Sequence, residues 1–160
     1  MLRCKPQRGS GKEAGTATVE FAIILPLFIG LLFSIIEFGF LFRNLLIVQQ
    51  AAREGVRSAA IGKTTSEITA RVNGSLSDLS VDRLTTYQEY RTYSGSWSSW
   101  YTLGNTTLTP VVNNAPQGAQ VRVRLAYTHQ LLTGPLFAQM IGHPGATSIM
   151  LYSQMVMRRE

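Results

Sequence analysis

Residues able to carry acid–base, nucleophilic or metal chemistry are few and scattered in this chain of 160 residues. His129 and His143 stand 14 positions apart, and the only carboxylates between residues 62 and 159 are Glu67, Asp78, Asp82 and Glu89. A metal site would have to be gathered from distant positions, without the short ligand spacings that mark one. His143 precedes Pro144-Gly145 and reads as a turn residue. Asp78 and Asp82, with Leu79 and Val81 between them, read as loop. Gly9-Ser10-Gly11-Lys12 looks like a piece of a phosphate-binding loop, but it lacks the earlier Gly, the following Ser or Thr and a preceding strand. Cys4 has no second cysteine, which excludes a disulfide framework. No nucleophile and base are paired. The sequence predicts no enzyme, no metal and no cofactor.

Two other carboxylates gain interest from their surroundings. Glu20 opens, and Glu37 interrupts, the apolar run Phe21 to Phe42, in which 17 of 22 residues are apolar. As a helix this run reaches ~33 Å, against a hydrocarbon core of ~30 Å. A cleaved secretory signal would have an apolar core of about 7–15 residues and a small-x-small site; Phe40-Leu41-Phe42-Arg43 offers none. The run predicts a retained membrane span. Arg3, Lys5, Arg8 and Lys12 precede it, offset by Glu13 and Glu20, while Arg43, Arg53 and Arg57 follow, which tips the N-terminus to the cytoplasmic side. Ala22, Pro26, Gly30 and Ser34 recur every fourth residue, with Glu37 returning to nearly that face. Small residues allow close helix approach, and a carboxylate on the ridge can bond across it, so Ala22, Gly30, Ser34 and Glu37 form a helix–helix assembly candidate.

Beyond the span, Leu45, Val48, Ala52, Val56 and Ala59 keep a helical period, so one helix runs from about Thr18 to Ile61. Gly62 suits its C-cap, and Thr64-Thr65-Ser66-Glu67 has the form of a capping box. At the start of the run stands Gly15-Thr16-Ala17-Thr18-Val19-Glu20-Phe21. With its basic leader, this stretch resembles the prepilin-peptidase site of Tad (tight adherence, Flp-type) pilins and pseudopilins. Glu37-Phe38-Gly39 continues the likeness, and Gln49-Gln50-Ala51-Ala52-Arg53-Glu54-Gly55-Val56-Arg57-Ser58-Ala59-Ala60 is similar to the NAAREGARxAA segment of TadE-like proteins. The ending Met155-Val156-Met157-Arg158-Arg159-Glu160 looks like the family's final strand. The resemblance implies a processing site at Gly15, Thr16, Glu20 and Phe21. It also implies partners among other Tad pilins, the inner-membrane biogenesis platform and prepilin peptidase, besides membrane lipid. Cleavage after Gly15 would free an amine on Thr16 that the Glu20 of a neighbouring subunit neutralises in a low-dielectric bundle. The other reading of Glu20 is a helix N-cap. Thr16 and Phe21 suit a Tad-type minor component better than a major filament subunit.

After Gly62 the chain turns to Ser, Thr, Gly and Asn, with Ile68, Val72 and Leu76 continuing a helical period. Tyr87 to Tyr93 alternates as a strand, Ser94-Gly95-Ser96 is a turn, and Trp97 to Leu103 is the expected return. Val121, Val123, Leu125 and Tyr127 alternate with Arg122, Arg124, Ala126 and Thr128, and a last strand runs through Ile149, Leu151 and Met155. The pattern predicts an α+β fold, a long N-terminal transmembrane helix extended into a small antiparallel-sheet, pilin-like unit. Its parts are a cytoplasmic basic leader 1–15, a membrane and extended helix 16–61 with its span at about 21–42, and an extracytoplasmic α+β domain 62–160. Tyr87, Tyr90, Tyr93, Trp97, Trp100 and Tyr101 either fill the core or form a recognition surface. The net charge of +6 falls to +3 once residues 1–15 are removed, and no basic-aromatic nucleic-acid module is present. The expected function is that of a TadE-like minor pseudopilin or pilus-assembly component in the bacterial inner membrane. The alternative is a single-pass envelope adhesion domain that is never cut.

Overall fold

A computed structural model describes residues 11–104, 111–134, 142 and 147–160. The leader up to residue 10, with Cys4 and Gly9-Ser10, and the His143-Pro144-Gly145 turn lie outside the described residues. Helix α1 (Gly11–Ala60) is a single element of 50 residues. It starts before the expected Thr18, because Lys12, Glu13 and Ala14 are good helix formers and Gly15 only weakens a helix without stopping it. Its end follows the expected chemistry. Gly62 has φ +80°, its N–H donates to the Ala59 carbonyl and that of Lys63 to Ser58, which together close a Schellman cap. Thr64 then caps α2 (Thr65–Gly74) through a complete capping box with Glu67.

Four antiparallel strands follow, β1 (Leu84–Arg91), β2 (Tyr101–Thr102), β3 (Gln120–Gln130) and β4 (Ser148–Arg158), in the order β2-β1-β3-β4. The return strand expected over Trp97 to Leu103 shrinks to two residues. Trp97 instead bridges back to Tyr93, and Trp97 and Trp100 stack on arginines rather than joining the ladder. One face of β3 presents Val121, Val123, Leu125 and Tyr127 to the upper half of α1, where Val48, Ala51, Ala52, Val56 and Ala59 are buried. Ile68, Val72 and Leu76 of the α2 region complete this core. Two of the last α1 carbonyls are satisfied from far along the chain, Ala59 by the Asn113 amide and Ala60 by the backbone N–H of Glu160. The molecule is therefore α+β, a long apolar helix whose second half is roofed by a small sheet.

Candidate functional site

The lower half of α1 meets little of its own chain. Val19, Phe21, Ile23, Ile24, Leu27 and Phe28 are all exposed, as are larger apolar residues up to Ile36. Among the described residues α1 is the one helix long and apolar enough to cross a membrane, and it is compatible with a single pass. Gly15, Thr16, Glu20 and Phe21 all lie exposed on this helix. Since α1 runs uninterrupted from Gly11, Glu20 sits well inside the uncut helix, and the N-cap reading of Glu20 is overturned there.

The ridge of small residues divides in two. Ala22 is exposed and Gly30 half-buried, with open space where a Gly30 side chain would be, whereas Ser34 and Glu37 are buried within the chain. Glu37 accepts hydrogen bonds from the backbone N–H of Leu132 (2.9 Å) and Thr133 (3.0 Å) and from the Thr133 hydroxyl (2.9 Å). His129 Nε2 lies 3.6 Å from the same carboxylate, and its Nδ1 meets the Asn44 amide at 2.9 Å. With that amide donating, Nδ1 is the acceptor, and the buried Nε2 has no hydrogen-bond partner among the described residues. The stretch of ridge open to another helix thus runs from Ala22 to Gly30. Nothing local in the sequence links Glu37 with His129 and Thr133; the buried polar cluster is made by tertiary structure alone.

On the sheet face turned away from α1, the aromatic stretch interleaves with arginines. Glu89 sits between Arg122 and Arg124, accepting from Arg122 Nη2 at 2.6 Å and from Arg124 Nη2 at 2.9 Å. Arg122 also lies 3.9 Å over the Trp100 ring, and Arg91 is held 4.6 Å from both the Trp97 and the Trp100 ring. Arg124 covers Tyr87 at 5.0 Å. Such contacts combine charge–quadrupole attraction with apolar cover. Tyr90 reaches the core's edge and meets Tyr101 with the rings tilted, while Tyr87, Tyr93, Trp97 and Tyr101 remain exposed and Trp100 is half-buried. Beside the ladder, Tyr87, Arg124, Ala126, Tyr152 and Gln154 line a shallow cleft of about 340 Å³. The aromatic residues were visible in the sequence; their partners Arg91, Arg122 and Arg124 were not singled out, although strand alternation places two of them on this face.

Among the described residues no group of three or more His, Cys, Asp or Glu is placed to hold a metal ion. Residues 15–57 match the family model described as TadE-like protein. Neither the curated proteins nor the solved structures gave a match.

Proposed function

We propose, on the strength of its TadE-like segment, that the chain is a Tad pilus-associated protein, a minor pseudopilin or pilus-assembly component. The single observation that carries this reading is where the matched segment starts and what it contains. The matched segment 15–57 begins at the Gly15–Thr16 junction and contains the whole stretch of α1 whose apolar side chains lack cover. A helix apolar on all sides needs lipid or other helices around it. In this reading α1 spans the inner membrane with its N-terminus cytoplasmic and the sheet extracytoplasmic. Prepilin peptidase cuts after Gly15, and the Glu20 carboxylate pairs with the new Thr16 amine of a neighbouring pilin. The Ala22–Gly30 face then packs against that neighbour, and the arginine–aromatic face meets further subunits or the biogenesis platform. No chemistry is catalysed.

Intact mass and N-terminal peptide mapping of the membrane-extracted protein, with and without its prepilin peptidase, test the reading. A peptidase-dependent start at Thr16, lost on substituting Gly15 with a bulky residue, is the expected result. A start at Met1 under both conditions refutes processing and leaves a fixed membrane protein, the anchored adhesion domain.

A further inference from the structure

The turn that follows β3 meets α1 inside the apolar run. Its backbone N–H groups at Leu132 and Thr133 both donate to Glu37, so the turn lies level with residue 37 of the helix. Phe21 and Glu37 are about 24 Å apart along the axis at ~1.5 Å per residue. A hydrocarbon core of ~30 Å whose lower edge lies at Phe21 therefore ends about 6 Å beyond Glu37. Raising the turn into water would require the core to start near residue 17, by about the same arithmetic. That would draw Glu20 into hydrocarbon. Just above the level of the turn, Phe40 and Phe42 are exposed on α1, as suits lipid contact.

Irregular backbone at such depth is tolerated only when its polar groups find partners inside the protein. Glu37 supplies the partners of the turn's donors, for its fully buried carboxylate takes the N–H groups of Leu132 and Thr133 and the Thr133 hydroxyl. Beside them Leu132 is 70% exposed, an apolar residue at the surface at this depth. We propose that the Leu131–Thr133 turn is a second membrane contact of this chain, with Leu132 inserted among lipid acyl chains and Glu37 acting as the internal acceptor that lets the turn enter. The inference rests on α1 being a membrane span, as in the proposed function, and is independent of cleavage and filament assembly.

The test uses the full chain carrying Cys4→Ser and one cysteine, from Leu132→Cys, Ile29→Cys or Thr102→Cys, labelled with an environment-sensitive fluorophore. Each is reconstituted in phosphatidylcholine vesicles holding a nitroxide either near the headgroup or at the bilayer centre. Ile29 reports the span, and Thr102, exposed on β2 near the other end of the sheet, reports water. The expected result is quenching at Leu132 at least twofold stronger than at Thr102 and greater from the shallow nitroxide than the deep one, with Ile29 quenched best by the deep one. Glu37→Ala should abolish the Leu132 quenching and spare that at Ile29; persistence would overturn the role given to Glu37. Leu132 quenched no more than Thr102, with Ile29 quenched, overturns the turn's contact while the span stands. A Leu132 label that is dry yet unquenched shows a second protein copy as its cover and overturns lipid as the occupant. Absence of quenching at Ile29 overturns span and turn together.

Discussion

Alanine at Gly55 should destabilise the fold although alanine is the better helix former. A Cβ at Gly55 would stand 2.6 Å from Val72 Cγ2 and 3.3 Å from Val123 Cγ1. Gly55 thus lies where α1 packs tightly against both α2 and β3. Both neighbours are β-branched, and a helical valine has essentially one χ1 rotamer, so Val72 has no easy way to swing clear. Overpacking of this kind costs ~1–3 kcal/mol, and the gain in helix propensity returns at most about 1 kcal/mol. With two stiff partners the cost falls in the upper part of its range, for a net loss of about 1–2 kcal/mol. In a chain of this size that lowers the thermal midpoint by roughly 2–8 °C. Unfolding of the detergent-solubilised full chain, followed by tryptophan emission, measures it. Gly39→Ala is the control, since a Cβ there meets nothing within 4 Å and the midpoint should not fall. Val72→Ala removes the nearest methyl, so the cost of Gly55→Ala should shrink in that background. A Gly55→Ala midpoint at or above the parent's, or a cost unchanged by Val72→Ala, would refute the packing argument.

Three further outcomes follow from named contacts. Glu37→Ala strands two part-buried N–H donors and should cost about 1–3 kcal/mol, with faster hydrogen exchange at Leu132 and Thr133. The Lys63 ammonium, with help from the Thr64 N–H and hydroxyl, holds the exposed Glu67 carboxyl down to about 2. A carboxyl pKa lowered by folding contributes stability above its ordinary value near 4.5 that is lost as pH falls through the folded value. Acidification from pH 4.5 to about 2 should therefore fray the start of α2, by a small amount that salt reduces further, as seen in the amide resonances of residues 64–68; Glu67→Gln should flatten that part of the profile. Glu89→Ala leaves Arg122, whose side chain is only 16% exposed, without its acceptor, and should cost about 1–3 kcal/mol. Because Arg122 lies over Trp100, the same change should shift tryptophan emission; an unaltered spectrum would mean that the stack survives without the carboxylate.

What could be read in advance was what local chemistry decides. Gly62, Thr64 and Glu67 announced the end of one helix and the start of the next, because caps need particular side chains at fixed offsets. β3 showed itself through strict alternation from Val121 to Tyr127. The short β2 was overestimated because Trp97 and Trp100 have good strand propensity, yet their ring faces are used by arginines. For Glu37 the sequence shows only which face of α1 it shares, which points to another helix as its partner. Its partners at His129, Leu132 and Thr133 lie on a segment that reaches the helix through the length and direction of β3. Gly55 is one residue among twelve in the segment that resembles TadE-like proteins, and only the structure supplies a reason for glycine there, in the nearness of Val72 and Val123.

The order of elements along the chain also bears on how the molecule is made. The alanine and valine face of α1 from Val48 to Ala60 is synthesised first, whereas β3 and β4, which cover it, come last. During that interval the face is open, and its eventual partners must be recruited across a long stretch of chain. Folds built on such distant pairings form in milliseconds to seconds rather than microseconds. For that time the upper half of α1 is a sticky, incomplete surface that only the later strands can close.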